Sequence, residues 1–142
     1  MTPADHDAAA DAEALGRLRE AHVAAVNRGD LNGWIGLFAE DGVQMPPQSR
    51  ANVGRPAIKE WSRGFLSSFR VEFALFVDEV QVTGDWAFER GAYRIIRAPK
   101  GGGMPHQDVG KYITIYQRQA GGAWAIARSI WNTDQPPPIA MR

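Results

Sequence analysis

The chain has no cysteine, which excludes disulfides, thiolate nucleophiles and thiolate metal ligands. It also lacks an excess of either charge. Sixteen basic and sixteen acidic residues cancel among the 142, and no block of like charge stands out, so nothing calls for nucleic acid or an anionic membrane surface. No run approaches the roughly 18 consecutive apolar residues of a membrane span. The opening MTPADHDAAADAEALG is acidic and alanine-rich. It has no apolar stretch of the kind a secretory signal carries, so a cytoplasmic location is expected. There is no internal repeat, no G-x-S-x-G and no phosphate loop. Gly110–Lys111 is followed by Tyr112 instead of Ser or Thr, and Pro105 stands where the upstream glycine is required. The three histidines lack metal spacing, and His106 with Asp108 forms only a weak pair in a loop, so neither a metal nor another cofactor is expected.

What is present is ordinary globular material, 44% hydrophobic and 23% charged. Its length suits a single domain, 1–142, with a core over about 11–136 and tails at 1–10 and 137–142. Asp11 to Arg28 reads as a helix, because Leu15, Leu18, His22, Ala25 and Val26 recur at helical spacing. Gly29 suits a left-handed C-cap and Asp30 an N-cap for a short second helix that places Leu31, Trp34, Ile35 and Phe38 on one side. A strand is expected over Val43–Met45, ended by Pro46 and Pro47. Pro56 opens a third helix with the stripe Ile58, Trp61, Phe65 and Phe69.

From Arg70 the period becomes two. Val71, Phe73, Leu75 and Val77 share a face, and Val80 and Val82 continue with shifted parity. A bulge at Asp78–Glu79 produces that shift and bends the sheet. Thr83–Asp85 is a tight turn. Strands follow over Trp86–Arg97, Val109–Gln119 and Trp124–Asn132, with a flexible PKGGGMPHQ loop and an AGG turn between them. The prolines of DQPPPIAMR leave a partly extended tail. The expected fold is α+β: three helices packed on a strongly curved, mostly antiparallel sheet. Such a sheet cupping helices should enclose a concave, mostly apolar cavity suited to a small hydrophobic molecule.

The segment HVAAVNRGDLNGWIGLFAEDGVQMPP, followed by GRPAIKEW, resembles the opening half of the ketosteroid isomerase-like and SnoaL-like proteins of the nuclear-transport-factor-like superfamily. GKYITIYQRQAGGAWAIARSIWNTD resembles the closing hairpin of the SnoaL-like branch. The similarity spans about Ala14 to Pro136. It implies a cone-shaped domain, often a homodimer through the outer sheet face, with a pocket between helices and sheet. The fold hosts isomerases, dehydratases, cyclases, epoxide hydrolases and non-catalytic binding modules, so it does not by itself name a function. Ketosteroid isomerase chemistry uses an aspartate base and an oxyanion hole made of a tyrosine and a protonated aspartate. Carried over by position, the base falls at Met45, the tyrosine at His22 and the protonated aspartate near Thr114. None of the three is retained, and the resemblance does not bring that mechanism with it. Glu40 and Asp41, in the preceding turn, lie too far back to replace the base.

His22 is the one candidate for acid–base catalysis, because its place in the helical stripe turns it inward. The alternative is a core histidine satisfied by a single partner. Trp34, Phe38, Met45, Trp61, Phe65 and Trp131 are candidates for an apolar ligand-binding wall, against the alternative of ordinary core. Tyr112, Thr114 and Tyr116 share a strand face whose hydroxyls can orient a ligand. Glu89 and Arg90 are adjacent on a strand, so only one can face inward. Alternation leaves that choice open; Arg90 is counted with Tyr112 and Thr114 among the ligand-binding candidates. Lys111 falls on the other face, at a surface or dimer contact, and Asp134 either ends the last strand or reaches the pocket mouth. Two functions follow: a domain that binds, and acts as an isomerase, lyase or hydrolase on, a hydrophobic carbonyl or cyclic compound, or a non-catalytic homodimeric module for a ligand or protein partner.

Overall fold

A computed structural model describes residues 7–136. The C-terminal PPIAMR and the first six residues, and with them most of both expected tails, lie outside the described residues. Helix α1 runs Ala8–Arg28, three residues longer at its start than the apolar stripe indicates. Asp7 supplies the reason: its carboxylate accepts from the Ala9 N–H and caps the first turn. Gly29, at φ 66°, ends the helix in the left-handed region. The Asp30 carboxylate accepts from the Gly33 N–H and starts α2, Leu31–Ile35. Helix α3 spans Arg55–Ser68 with proline in its first turn.

Strand β1 covers Phe38–Met45, so Phe38 belongs to the sheet and not to α2. A two-residue β2, Asn52–Val53, had no signal in the sequence. Strands β3 (Phe69–Thr83), β4 (Trp86–Pro99), β5 (His106–Arg118) and β6 (Trp124–Thr133) form the meander. The sheet order is β2-β1-β6-β5-β4-β3. Every pair is antiparallel except β1 with β6, which the helical excursion α3 and the long meander bring together in parallel.

The parity shift in β3 is a bulge. Val77 pairs with Gly91 and Glu79 with Arg90, so Asp78 is the extra residue. It returns Val80 and Val82 to the concave side, opposite Glu89 and Ala87. Gly91 sits at this bend, where a Cβ would meet the Phe76 carbonyl oxygen at 2.1 Å. The core fills one end of the concavity, where Leu15, Val26, Trp34, Phe38, Ile58, Tyr116 and Ile126 pack between helices and sheet. On α3 the deeply buried residues are Ile58, Ser62 and Leu66. Trp61 and Phe65 pack at the edge of this core, and Phe69 already belongs to β3. Arg118 fastens the N-terminal end of α1 to the sheet through two 3.0 Å bonds to the Asp11 carboxylate. No helix among the described residues is long and apolar enough to cross a membrane.

Candidate functional site

The rest of the concavity is not filled. A cavity of about 450 Å³ lies between the helices and the sheet, within the range of small-molecule sites. Its inner wall is aromatic. Trp61 stacks on Phe65 at 5.6 Å and meets Trp131 edge-on at 5.9 Å, while Phe65 meets Trp34 edge-on at 6.3 Å. Phe38 and Phe73 complete this end. The indole N–H of Trp34 is buried with no hydrogen-bond partner among the described residues.

His22 projects from α1 into this wall, 5.4 Å from the Phe73 ring and 6.2 Å from Trp34 between ring centroids. No hydrogen bond of the described residues engages its imidazole, and it lines the cavity. It is therefore not the partnered core histidine that was the alternative expectation. Burial among aromatic rings pushes its pKa down to about 4; the nearby Glu89 carboxylate opposes the shift without overcoming it. At pH 7 the ring is neutral. It offers one N–H donor and one weakly basic nitrogen, so it is a hydrogen-bonding group and a poor proton acceptor.

One turn earlier on α1, Arg19 makes a different arrangement. Its Nε and Nη2 donate to Glu89 Oε1 at 2.8 and 2.7 Å. Tyr112 donates to Glu89 Oε2 at 2.6 Å and Tyr116 to Oε1 at 3.2 Å. Glu89 is completely buried. Burial first, and the Glu89 carboxylate second, push both phenols well above their usual range. They stay protonated, with their protons committed to Glu89. Tyr112 lines the cavity and can therefore offer it only lone pairs.

Two candidates do not belong here. Arg90 lies on the convex face, where its Nε donates to Glu79 at 2.7 Å and Asp78 lies 3.8 Å away. Strand parity is the reason: Ala87, Glu89, Gly91 and Tyr93 alternate inward, so the inward member of the adjacent pair is Glu89. Met45 is also turned away. It pairs with Ile130, which is exposed on the outer face, whereas its neighbour Gln44 pairs with the cavity-lining Ser129. Gln44 accepts from Asn52 Nδ2 at 2.9 Å and donates to Ser62 Oγ at 3.4 Å. A neutral amide thus stands on the inward face of β1, and it cannot serve as a base. The remaining candidates, His22, Trp34, Phe38, Trp61, Phe65, Tyr112, Thr114 and Trp131, come together on the cavity wall.

The mouth of the cavity carries polar residues that sequence reasoning left aside. His106, Asp108, Tyr112 and Thr114 alternate along one face of β5, with Tyr93, Ile95 and Arg97 beside them on β4. Gly110 makes room between them. A Cβ there would lie 2.6 Å from the Tyr93 ring and 2.1 Å from the Asn132 carbonyl oxygen. The Tyr93 ring fills that space and its hydroxyl donates to Asp108 Oδ2 at 2.9 Å, while Thr133 donates to Oδ1. Period-two alternation from His106 to Tyr112 was the available signal; reading His106 to Asp108 as loop, with the strand starting at Val109, concealed it. Asp134 does not line the cavity; it pairs with Lys111 Nζ at 2.7 Å on the surface. Among the described residues, no three His, Asp or Glu side chains gather as a metal site would require.

Helices on a bent, open, mostly antiparallel sheet with a hollow between them define a cone-like α+β architecture. The chain belongs to the SnoaL-like domain family, whose model matches residues 20–127. Among solved structures, a ketosteroid isomerase-like protein from Erwinia carotovora atroseptica superposes with a TM-score of 0.80 at 26% identity, covering 87% of this chain and 96% of that one. A protein of unknown function from Mycobacterium tuberculosis gives 0.77 at 25% identity, over 89% of this chain and 73% of the other. A nuclear transport factor 2-like superfamily protein from Salmonella enterica gives 0.76 at 13% identity, over 89% and 93%, a likeness of fold alone. A comparison with curated proteins gives no significant match.

Proposed function

We propose that this domain binds a small, largely apolar carbonyl or cyclic compound in the cavity, with His22 as the hydrogen-bonding group at its inner end. The observation that carries this reading is a neutral imidazole, free of protein hydrogen bonds, set in an aromatic wall around open space. His22 has no hydrogen-bond partner among the described residues, and a ligand oxygen would supply one. Donation from a neutral imidazole to a carbonyl oxygen also stabilises negative charge developing there, the electrophilic part of isomerase and lyase chemistry. The ketosteroid isomerase-like relative is in keeping with that class. Proton abstraction needs a separate base, which His22 at a pKa of about 4 does not provide; Met45 and Gln44 do not provide one either.

The second reading is a non-catalytic homodimeric module. It is favoured by the outer sheet face, where Phe76, Phe88, Ile113 and Ile130 are exposed together on neighbouring strands. Their number and proximity suit a sheet-to-sheet contact between two copies.

The discriminating experiment replaces His22 by Gln and follows binding and turnover on a panel of enones and epoxides. Retained binding with lost turnover supports the enzyme. Turnover absent in the native protein with binding retained supports the module. Absence of binding by the native protein removes the cavity reading and leaves the homodimeric module, which the oligomeric state in solution then tests.

A further inference from the structure

We infer that the cavity mouth is an anion-recognition site and that the ligand is a hydrophobic carboxylic acid, held with its carboxylate at Arg97 and its apolar body against the inner aromatic wall. This rests on the cavity reading above and adds the ligand's chemical class and orientation.

Arg97 lines the cavity and has no carboxylate within salt-bridge distance among the described residues, whereas Arg19, Arg90 and Arg118 each have one. Its guanidinium is not free to wander. It lies over the Phe69 ring at 5.7 Å, and its Nη2 is 3.1 Å from His106 Nδ1. A guanidinium only donates, so His106 Nδ1 accepts, which leaves the His106 Nε2 as a further N–H donor. Arg97 and His106 are also direct cross-strand partners. The pair therefore presents a planar, oriented set of donors, four of the five guanidinium N–H groups among them, where a carboxylate can bind in bidentate fashion.

Asp108 sets the orientation. It is the only carboxylate lining the cavity among the described residues, and it pairs across the strands with Ile95, one inward position deeper than Arg97. Both its oxygens accept hydroxyl hydrogens, from Tyr93 and Thr133, and no ion pair within salt-bridge distance engages it among the described residues. A ligand carboxylate is thus repelled from the interior and attracted at the rim. The walls beyond Asp108 are apolar apart from His22, Gln44 and the strand hydroxyls, so the uncharged part of the ligand lies there.

Calorimetric titration with 2-naphthoate and 2-naphthamide, flat probes of matched shape, tests this. The native protein should bind the carboxylate at least about tenfold more tightly than the amide, a preference that shrinks with added salt. Arg97→Gln should bring the ratio to about one, chiefly through loss of carboxylate affinity, and Arg97→Lys should keep part of the preference. A thermal unfolding midpoint close to the native one shows that the variant is folded. A ratio that is near one in the native protein, that survives Arg97→Gln, or that survives because both affinities fall together overturns the anion site and leaves the cavity reading standing. If neither probe binds the native protein, both fall.

Discussion

Glu89 and His22 are both ionisable groups in the interior, within electrostatic reach of each other, and they have been treated in opposite ways. Every oxygen of Glu89 is engaged, by a guanidinium and two phenols. His22 touches the Trp34 and Phe73 rings, and no hydrogen bond of the described residues engages it. In the first arrangement, partners replace the water lost on burial. The second stays neutral because burial is not offset by such partners. The contrast separates two roles: a satisfied buried carboxylate braces α1 against the sheet, and in the proposed function the unpartnered ring beside open space meets the ligand.

The largest expected effect comes from breaking the satisfied side. Glu89→Ala leaves Arg19 and two tyrosine hydroxyls without their common acceptor, and should lower unfolding free energy by roughly 3–5 kcal/mol in denaturant titration. A loss below about 1 kcal/mol would mean that the cluster is not held together by its carboxylate.

The unsatisfied side is read by pH. A histidine whose folded pKa of about 4 lies below its unfolded value of 6.5 takes up a proton more readily when unfolded. Its contribution is intact above pH 6.5 and is lost as pH falls toward 4. The loss should reach about 3 kcal/mol by pH 4, less where water enters the cavity. Denaturant midpoints followed from pH 7 to 4 should fall more steeply in the native protein than in His22→Gln. Parallel slopes would show that the ring titrates as it does in the unfolded chain.

Trp61 sharpens the contrast between filled core and cavity wall. A fully packed tryptophan replaced by alanine costs roughly 3–5 kcal/mol. Trp61 is only half-buried and faces the hollow, so Trp61→Ala should cost roughly 1–2 kcal/mol, with a larger effect on ligand affinity than on stability. The smallest effect belongs to Arg90→Ala. An exposed ion pair on the convex face should cost less than about 1 kcal/mol and leave binding in the cavity unchanged.

Much of this fold could be read in the chain because local chemistry decides it. Gly29 and Asp30 mark a helix end and a helix start through backbone conformation and capping. The parity change across Asp78 is a bulge wherever it occurs in an alternating strand. The misreadings share one cause, strand phase at a boundary. Glu40 and Asp41 look like a turn, yet Gly42 lets β1 run through them by coming close to the Ile126 carbonyl. That longer strand has Gln44 inward and Met45 outward, whereas the family resemblance and its place among the wall candidates set Met45 at the pocket. Glu89 and Arg90 could not be ordered from alternation alone, because apolar residues occupy both faces of β4: Trp86 and Phe88 are apolar on the outer side as Ala87 and Tyr93 are on the inner. The mouth residues Tyr93, Arg97 and Asp108 were hidden for a different reason. Their significance depends on which neighbour each meets across a strand, and that register is not written in any single segment.

The most direct test of the account is a nuclear magnetic resonance titration of the His22 ring, assigned by its absence in His22→Gln. A ring that remains neutral down to about pH 4 and whose resonances move when an apolar carbonyl compound is added places a desolvated, available imidazole at the ligand site. Protonation near the ordinary histidine value of about 6.5, with resonances indifferent to every such compound, would contradict it.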